Sequence, residues 1–288
     1  KTRSISRVIN SIQTREGGLI VRRPFPNQAL DYFDPFLLLD ELGPINVKPG
    51  EASGVSDHPH RGFETVTYLL SGLFQHKDSL GNSGKLAPGD VQWMTAGSGV
   101  VHSEMPQEAF KKSGGILHGF QLWVNLPASD KMIRPKYQDI PAKNLPVAKT
   151  EDDKITVKVI VGEAMNAKGI IETRTPIIYL HYILQPGARV IQEITSEYNV
   201  FSYVIQGSGV FGNDGKQGNG GNMVVFDNDG YIVEISNDSV GILELLLIGG
   251  VPLNEPVARY GPFVMNTQQE ITQAFQDYQM GRMGVIDL

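Results

Sequence analysis

The 288-residue sequence contains no cysteine. Without a thiol the chain can form no disulfide, no zinc–thiolate site and no iron–sulfur cluster, and it has no cysteine nucleophile. No apolar run is long enough to span a bilayer, and the first residues lack the apolar core of a signal peptide. We therefore expect a cytoplasmic protein with no membrane contact, or a nuclear one if the source is eukaryotic.

Basic residues are also scarce relative to acidic ones. Lys and Arg total 25 against 31 Asp and Glu, which gives a formal net charge of −6. A protein that binds a phosphate backbone directly needs a positive surface, so direct binding to nucleic acid is not expected. The adjacent pair Arg22 and Arg23 is expected to lie in a solvated turn.

Glycine and proline, in contrast, are abundant, at 32 and 17 residues. They separate short β-branched and aromatic segments at intervals of roughly eight to twelve residues, which is typical of an antiparallel sandwich or barrel. The clearest helix is predicted for Ile271–Met280, whose apolar residues follow a 3.6-residue spacing. Thr267 and Glu270 are a candidate capping box at its start.

The two halves of the sequence resemble each other. Thr67–Gly72 (TYLLSG) is echoed by Ser202–Gly207 (SYVIQG), and a charged, proline-interrupted stretch over residues 127–154 separates the halves. We therefore predict two similar β-domains in tandem, over residues 1–135 and 136–288.

Two short motifs in the first half carry candidate metal ligands. In DHPHRGFE (57–64), His58 and His60 are two residues apart, so on a β-strand both side chains point to the same face. About forty residues later, His102 and Glu104 repeat this spacing with an imidazole and a carboxylate. A His-x-His pair alone is more often two surface or loop histidines. The second motif, at a distance that suits the next hairpin of a barrel, favours a metal site.

The second half does not repeat these motifs. At the offset of the internal repeat, His58 and His60 fall on Glu193 and Thr195. The second domain is therefore predicted to be metal-free, with a packing or gating role.

Longer segments of the chain resemble the pirin family of the cupin superfamily. They span nearly the whole sequence and are DPFLL (34–38), DHPHRGFETV (57–66), QWMTAG (92–97), HSEMP (102–106), QLWVNL (121–126) and GPFVMNT (261–267). The resemblance implies an all-β fold of two tandem cupin-type β-barrels, a bicupin, to which the predicted helix adds a short C-terminal element. It also implies one iron in the N-terminal barrel, bound by His58, His60, His102 and Glu104.

Two glutamates compete for the role of carboxylate ligand. The general cupin pattern places a carboxylate after the His-x-His motif, at Glu64, which has the same strand parity as His58 and His60. The pirin resemblance favours Glu104, with Glu64 orienting a ligand imidazole, and the residues alone leave the choice open. Three imidazoles and one carboxylate leave two positions of a six-coordinate ion open. This set suits non-haem Fe(II), although nickel, manganese, copper or zinc also fit it.

The resemblance implies two activities. One is that of a quercetin 2,3-dioxygenase, which opens the ring of a flavonol with O2, and here Glu104 would be the catalytic base that takes the flavonol proton. The other is a redox-sensitive, metal-dependent transcription cofactor that acts through a protein partner. A barrel whose metal is purely structural is a third reading. We expect the first, with a flavonol-like molecule and O2 as substrates and a monomeric protein.

Overall fold

The computed structural model describes residues 1–286 and consists mainly of β-strands, as predicted from the sequence. The strands up to the middle of the chain are β1 (Ile5–Asn10), β2 (Ile12–Glu16), β3 (Leu19–Phe25), β4 (Phe36–Val47), β5 (Val55–His60), β6 (Phe63–Ser71), β7 (Phe74–Asp78), β8 (Ser83–Leu86), β9 (Val91–Thr95), β10 (Val100–Pro106), β11 (Gly115–Asn125), β12 (Lys136–Ile140) and β13 (Val147–Lys149). The remaining strands are β14 (Ile155–Val161), β15 (Glu163–Ala164), β16 (Ala167–Lys168), β17 (Ile177–Leu184), β18 (Arg189–Glu193), β19 (Asn199–Gln206), β20 (Ser208–Phe211), β21 (Lys216–Asn219), β22 (Asn222–Phe226), β23 (Ile232–Ser236), β24 (Leu243–Gly250), β25 (Ala258–Tyr260) and β26 (Phe263–Met265).

Helices are few in the described chain. The α-helices are α1 (Glu108–Ser113) and α2 (Gln268–Gln279), and short 3-10 turns lie at Ala128–Asp130 and Ala142–Asn144. No helix among residues 1–286 is long and apolar enough to cross a membrane.

The chain forms two compact units, and each unit includes a segment from the opposite end of the sequence. The unit that we call the N-terminal barrel contains Gln13–Pro26, Phe36–Lys143 and the chain from Leu253 onward. The C-terminal barrel contains Lys1–Ile12, Asn27–Pro35 and Asn144–Pro252. These units differ from the predicted ranges 1–135 and 136–288. The reason is long-range pairing, because β1 is hydrogen-bonded along β22, and Arg61 of the N-terminal barrel forms a bridge with Phe263 and an ion pair with Asp277 of α2.

The N-terminal barrel consists of two antiparallel sheets. One has seven strands in the order β12-β9-β6-β11-β4-β3-β2, and the other has four in the order β5-β10-β7-β8. The alternation along β11 is regular at its end, where Phe120, Leu122 and Val124 are fully buried. Gln121 and Trp123, which alternate with them, line a cavity of this barrel, so the two faces of β11 have different surroundings.

The C-terminal barrel repeats this arrangement strand by strand. Its sheets have the orders β1-β22-β19-β24-β17-β14-β13 and β18-β23-β20-β21. Thr67–Gly72 and Ser202–Gly207, from which the repeat was predicted, lie on and just after β6 and β19, which hold the same third place in their sheets. Two tandem β-barrels are therefore confirmed.

The C-terminal helix is also confirmed, with an earlier start than predicted. The helix begins at Gln268, three residues before the predicted start. The prediction missed the first turn because its residues are polar and show no apolar periodicity. Thr267 accepts from the backbone of Glu270 while the Glu270 side chain returns to the Thr267 backbone, so the capping box is present. Ile271 and Ala274 are buried in a cluster with residues of β25 and β26.

Candidate metal centre

Strands β5 and β10 bring three histidines together. Antiparallel pairing sets His102 opposite His58 and Val100 opposite His60, so the side chains at the histidine positions share one face. One ligand atom from each of His58, His60 and His102 lies within 4.8 Å of the others. The ring centroids are 4.3 Å apart for His58 and His102 and 5.0 Å apart for His60 and His102.

Backbone carbonyls orient two of these rings. Nδ1 of His58 lies 2.7 Å from the carbonyl oxygen of Ser56, and Nδ1 of His60 lies 3.3 Å from that of Pro262. Because a carbonyl can only accept, each Nδ1 donates the hydrogen bond, and in a neutral imidazole this tautomer leaves the lone pair on Nε2. A histidine that binds a metal through Nε2 usually has this arrangement.

His102 is the member of the cluster whose ring nitrogens lack other partners in the described part of the chain. It is only 1% exposed, and neither of its ring nitrogens has a hydrogen-bond partner among residues 1–286. Burial without a partner is costly for a polar group, and an ion bound between the rings would remove that cost. Burial also lowers the pKa of His60 and His102 well below the usual value, so both imidazoles are neutral, the form that coordinates metals. The donor set therefore fits a transition-metal ion.

Glu104 lies beside this cluster. It follows His102 on β10 after an irregularity in the pairing with β5, and it lines the same cavity as His58 and His60. Its Oε1 accepts a hydrogen bond from the Thr67 hydroxyl at 3.0 Å. Its role as a ligand and as a base stays a prediction.

Glu64 faces a different environment from the one that strand parity suggested. Gly62, with φ of +88°, lies between β5 and β6, so the alternation does not continue from one strand into the next. On β6 the cavity is lined by Thr67 and Leu69, which have the opposite parity to Glu64. Oε1 of Glu64 accepts from the Thr95 hydroxyl at 2.6 Å. A second role for Glu64, orienting a ligand imidazole, stays a prediction.

A cavity of about 510 Å³ adjoins the histidines, a size typical of small-molecule sites. Its wall is mainly apolar, with side chains that include Leu38, Val55, Phe74, Phe120 and Trp123. Such a wall excludes water from the space next to the candidate metal site.

Six polar residues of this cavity were missed or misread from the sequence: Glu16, Arg23, Asp40, Thr67, Gln121 and Arg259. The prediction that Arg23 lies in a solvated turn is wrong, because it sits on β3 and pairs with buried Asp40. Its parity with Leu19 and Val21 was the signal that could have revealed this.

Comparison with known proteins identifies the family. Residues 18–124 match the family model described as Pirin, and residues 179–284 match the Pirin C-terminal cupin domain. The chain belongs to the pirin family. Pirin from Homo sapiens is 43% identical over 279 residues, which cover 96% of this chain and 92% of that protein. A pirin-like protein from Solanum lycopersicum is 44% identical over 280 residues, which cover 97% and 92%.

A solved structure extends the likeness of this pirin-family chain to three dimensions. The crystal structure of quercetin 2,3-dioxygenase from Acinetobacter baumannii superposes with a TM-score of 0.93 at 36% identity and covers 100% of both chains. The bicupin fold implied by the sequence resemblance is thereby confirmed.

Proposed function

We propose that this pirin-family protein is a metal-dependent dioxygenase that opens the ring of a flavonol with O2. The observation that carries the proposal is the group of three imidazole donors within 4.8 Å of one another, beside a cavity of about 510 Å³. The likeness to a quercetin 2,3-dioxygenase supports the choice of substrate and of reaction.

His58, His60, His102 and Glu104 would hold a single Fe(II) in the N-terminal barrel. Nitrogen and carboxylate donors with open positions suit this ion. When bound, the iron supplies Lewis acidity and the electrons through which a flavonol and O2 can react.

Glu104 would act as the base that takes the hydroxyl proton of the flavonol. Oγ1 of Thr67 lies 3.0 Å from Glu104 Oε1 and 2.7 Å from Gln121 Oε1. Since a hydroxyl carries one proton, Thr67 can donate to only one of these oxygens at a time. Donation to Glu104 stabilises its carboxylate, and rotation towards Gln121 accommodates a Glu104 that has gained a proton.

The direct test is turnover by the full chain loaded with Fe(II). We expect quercetin to be consumed with O2 and carbon monoxide to be released. We expect His58→Ala to lose activity at least 100-fold while it keeps its thermal unfolding transition, because His58 is only half-buried. Arg189→Met, which alters an exposed ion pair of the C-terminal barrel, is the control and keeps full activity.

The proposal fails if iron-loaded protein neither consumes quercetin nor releases carbon monoxide. The use of Fe(II) rather than another divalent ion would be decided by metal analysis of protein purified without added metal. The cytoplasmic location, the monomeric state and a regulatory role through a protein partner stay predictions.

A further inference from the structure

A row of polar side chains crosses the seven-stranded sheet of the N-terminal barrel at one level. On β11, Gln121 lies opposite Asp40 of β4 on one side and opposite Thr67 of β6 on the other. Arg23 of β3 continues the row through its hydrogen bonds to Asp40. All four residues line the cavity that adjoins the histidines.

The rows on either side are less polar. One level along the sheet, Trp123 pairs with Leu38, and on the other side Gly119 pairs with both Leu42 and Leu69. Each of these residues also lines the cavity. The polar row is therefore a stripe flanked by apolar rows of the sheet. Two further charged residues line the cavity, Glu16, which accepts from Arg23, and Arg259, which lies over the Trp123 ring.

At one end of the stripe Arg23 and Asp40 form a two-pronged ion pair. Arg23 Nε donates to Asp40 Oδ1 and Arg23 Nη2 to Asp40 Oδ2, both at 2.6 Å, and Nη2 also donates to Glu16 Oε2 at 2.8 Å. Asp40 is only 2% exposed. Replacing a buried ion pair by apolar residues of similar volume is often neutral or stabilising, so stability alone does not explain charges in this wall.

The other end of the stripe is Thr67, which holds Glu104. Thr67 and Asp40 are separated by β11, so they lie two strand spacings apart, about 10 Å. The cavity therefore offers polar groups about 10 Å apart, with Gln121 between them and apolar residues in the neighbouring rows. A planar molecule of several fused or linked rings, with hydroxyl groups at both ends, matches this distribution.

We propose that the Arg23–Asp40 pair is a subsite for phenolic hydroxyl groups at the end of the substrate remote from the three histidines. The proposal rests on the function proposed above and names its substrate class, a polyhydroxylated flavonol. Each Asp40 oxygen accepts one hydrogen bond from Arg23 and has capacity for a second. A hydroxyl donor on the remote ring would use that capacity.

The test compares two flavonols by equilibrium binding to the full Fe(II)-loaded chain under nitrogen, so that no turnover occurs. Quercetin carries two hydroxyls on its pendant ring and galangin carries none. Quenching of tryptophan fluorescence reports occupancy, because Trp123 lines the cavity. We expect wild-type protein to bind quercetin at least tenfold more tightly than galangin. Asp40→Asn should weaken quercetin binding about tenfold and change galangin binding less than twofold.

Asp40→Asn leaves the charged Arg23 beside a neutral group and could therefore destabilise the fold. A second variant separates such a defect from the loss of the subsite. Arg23→Met with Asp40→Leu removes both charges together and should retain the thermal transition while it loses the preference for quercetin. The control is Glu234→Gln, which breaks the Arg189–Glu234 pair of the C-terminal barrel and should keep the preference.

The subsite is ruled out by equal affinities of the two flavonols for wild-type protein, by equal losses of both in the variants, or by absence of quercetin binding. Turnover is measured separately. Discrimination in binding without carbon monoxide release would leave the subsite standing and overturn the dioxygenase. Release of carbon monoxide with equal affinities for the two flavonols would support the dioxygenase and rule out the subsite.

Discussion

His102 combines full burial with two ring nitrogens that have no hydrogen-bond partner among the described residues. His58 and His60 are different, because a backbone carbonyl accepts from each of them and fixes the tautomer. A bound metal ion would therefore give His102 the polar partner that it lacks, whereas His58 and His60 already have a backbone partner at Nδ1. At the scale of the residue, the metal-free protein should carry a local energetic cost at this position.

Replacing His102 by leucine should separate metal binding from folding. We expect His102→Leu to lose the stabilisation that Fe(II) gives, while its metal-free form is as stable as the metal-free wild type or up to about 1 kcal/mol more stable, because an unpartnered polar group has left the core. Urea unfolding with and without Fe(II) measures both quantities.

The matched control for this substitution is His76→Leu. His76 is another buried histidine of the same barrel, 2% exposed, with neither ring nitrogen hydrogen-bonded among the described residues. It stacks on Tyr137 and is not one of the three histidines whose ligand atoms converge. This variant should keep its stabilisation by Fe(II). A strong loss of stability in metal-free His102→Leu would contradict the stated cost.

At the scale of the element, β5 and the residues just after it contact the segment from Leu253 onward. Pro262 accepts from His60, and the guanidinium of Arg61 donates to Asp277 of α2 at 2.7 Å. Nζ of Lys131 donates to the carbonyl oxygens of both Gly62 and Val264. The strand that carries two of the histidines therefore takes its position from contacts about 200 residues away in sequence.

The ion pair of Asp277 predicts a specific acid sensitivity. Hydrogen bonds from Arg61, and then from Arg282 and Gln273, lower the pKa of Asp277 to about 2. An unfolded aspartate titrates near 3.9, so the pair contributes its full stability above about pH 4 and loses it as the pH falls towards 2. We expect Asp277→Asn to be about 1 to 2 kcal/mol less stable than wild type at pH 7, with the difference shrinking over this window.

Unfolding by urea at pH 7, 4 and 3 would check this dependence. Glu51→Gln, at an exposed loop position, is the control and should follow wild type throughout. A difference between wild type and Asp277→Asn that stays constant from pH 7 to pH 3 would show that the Asp277 carboxylate is not the titrating group.

At the scale of the whole molecule, two barrels share one strand arrangement but differ in what fills them. In the C-terminal barrel the strands equivalent to β5 and β10 are β18 and β23, and their buried side chains are Val190, Val233 and Ile235. Apolar side chains of this kind offer no ligand to a metal.

The stoichiometry of bound metal follows from this difference. We expect one equivalent of transition metal per chain in protein loaded with Fe(II) and freed of excess, and less than one tenth of an equivalent in the double variant His58→Ala with His60→Ala. Elemental analysis by mass spectrometry gives both numbers. Two equivalents in wild type, or retention of metal by the double variant, would place a site elsewhere.

Local patterns predicted a large part of this molecule. The repeat on β6 and β19, the convergence of His58, His60 and His102, and helix α2 all follow from spacing within one or two elements. The features that were missed depend on contacts between distant segments. Pairing of β1 with β22 and the ion pair of Arg23 with Asp40 join strands whose registers no single segment specifies.

The parity argument that placed Glu64 on the same face as the histidines is wrong for a related reason, while its role beside a ligand imidazole stays a prediction. Its parity with the histidines was counted through Gly62, where the chain turns with φ of +88° and the alternation restarts. A count of residues predicts a shared face only while one strand continues.

The exchange of chain ends between the two units has a consequence for biosynthesis. Pro262 and α2, which support the metal-bearing strand, are synthesised after every segment of the C-terminal barrel, while β1, which pairs with β22 in that barrel, is synthesised before any segment of the N-terminal barrel. The N-terminal barrel therefore cannot reach its final form until the whole sequence of the C-terminal barrel has been synthesised, so the support of the metal-bearing strand forms after the second barrel can already have folded.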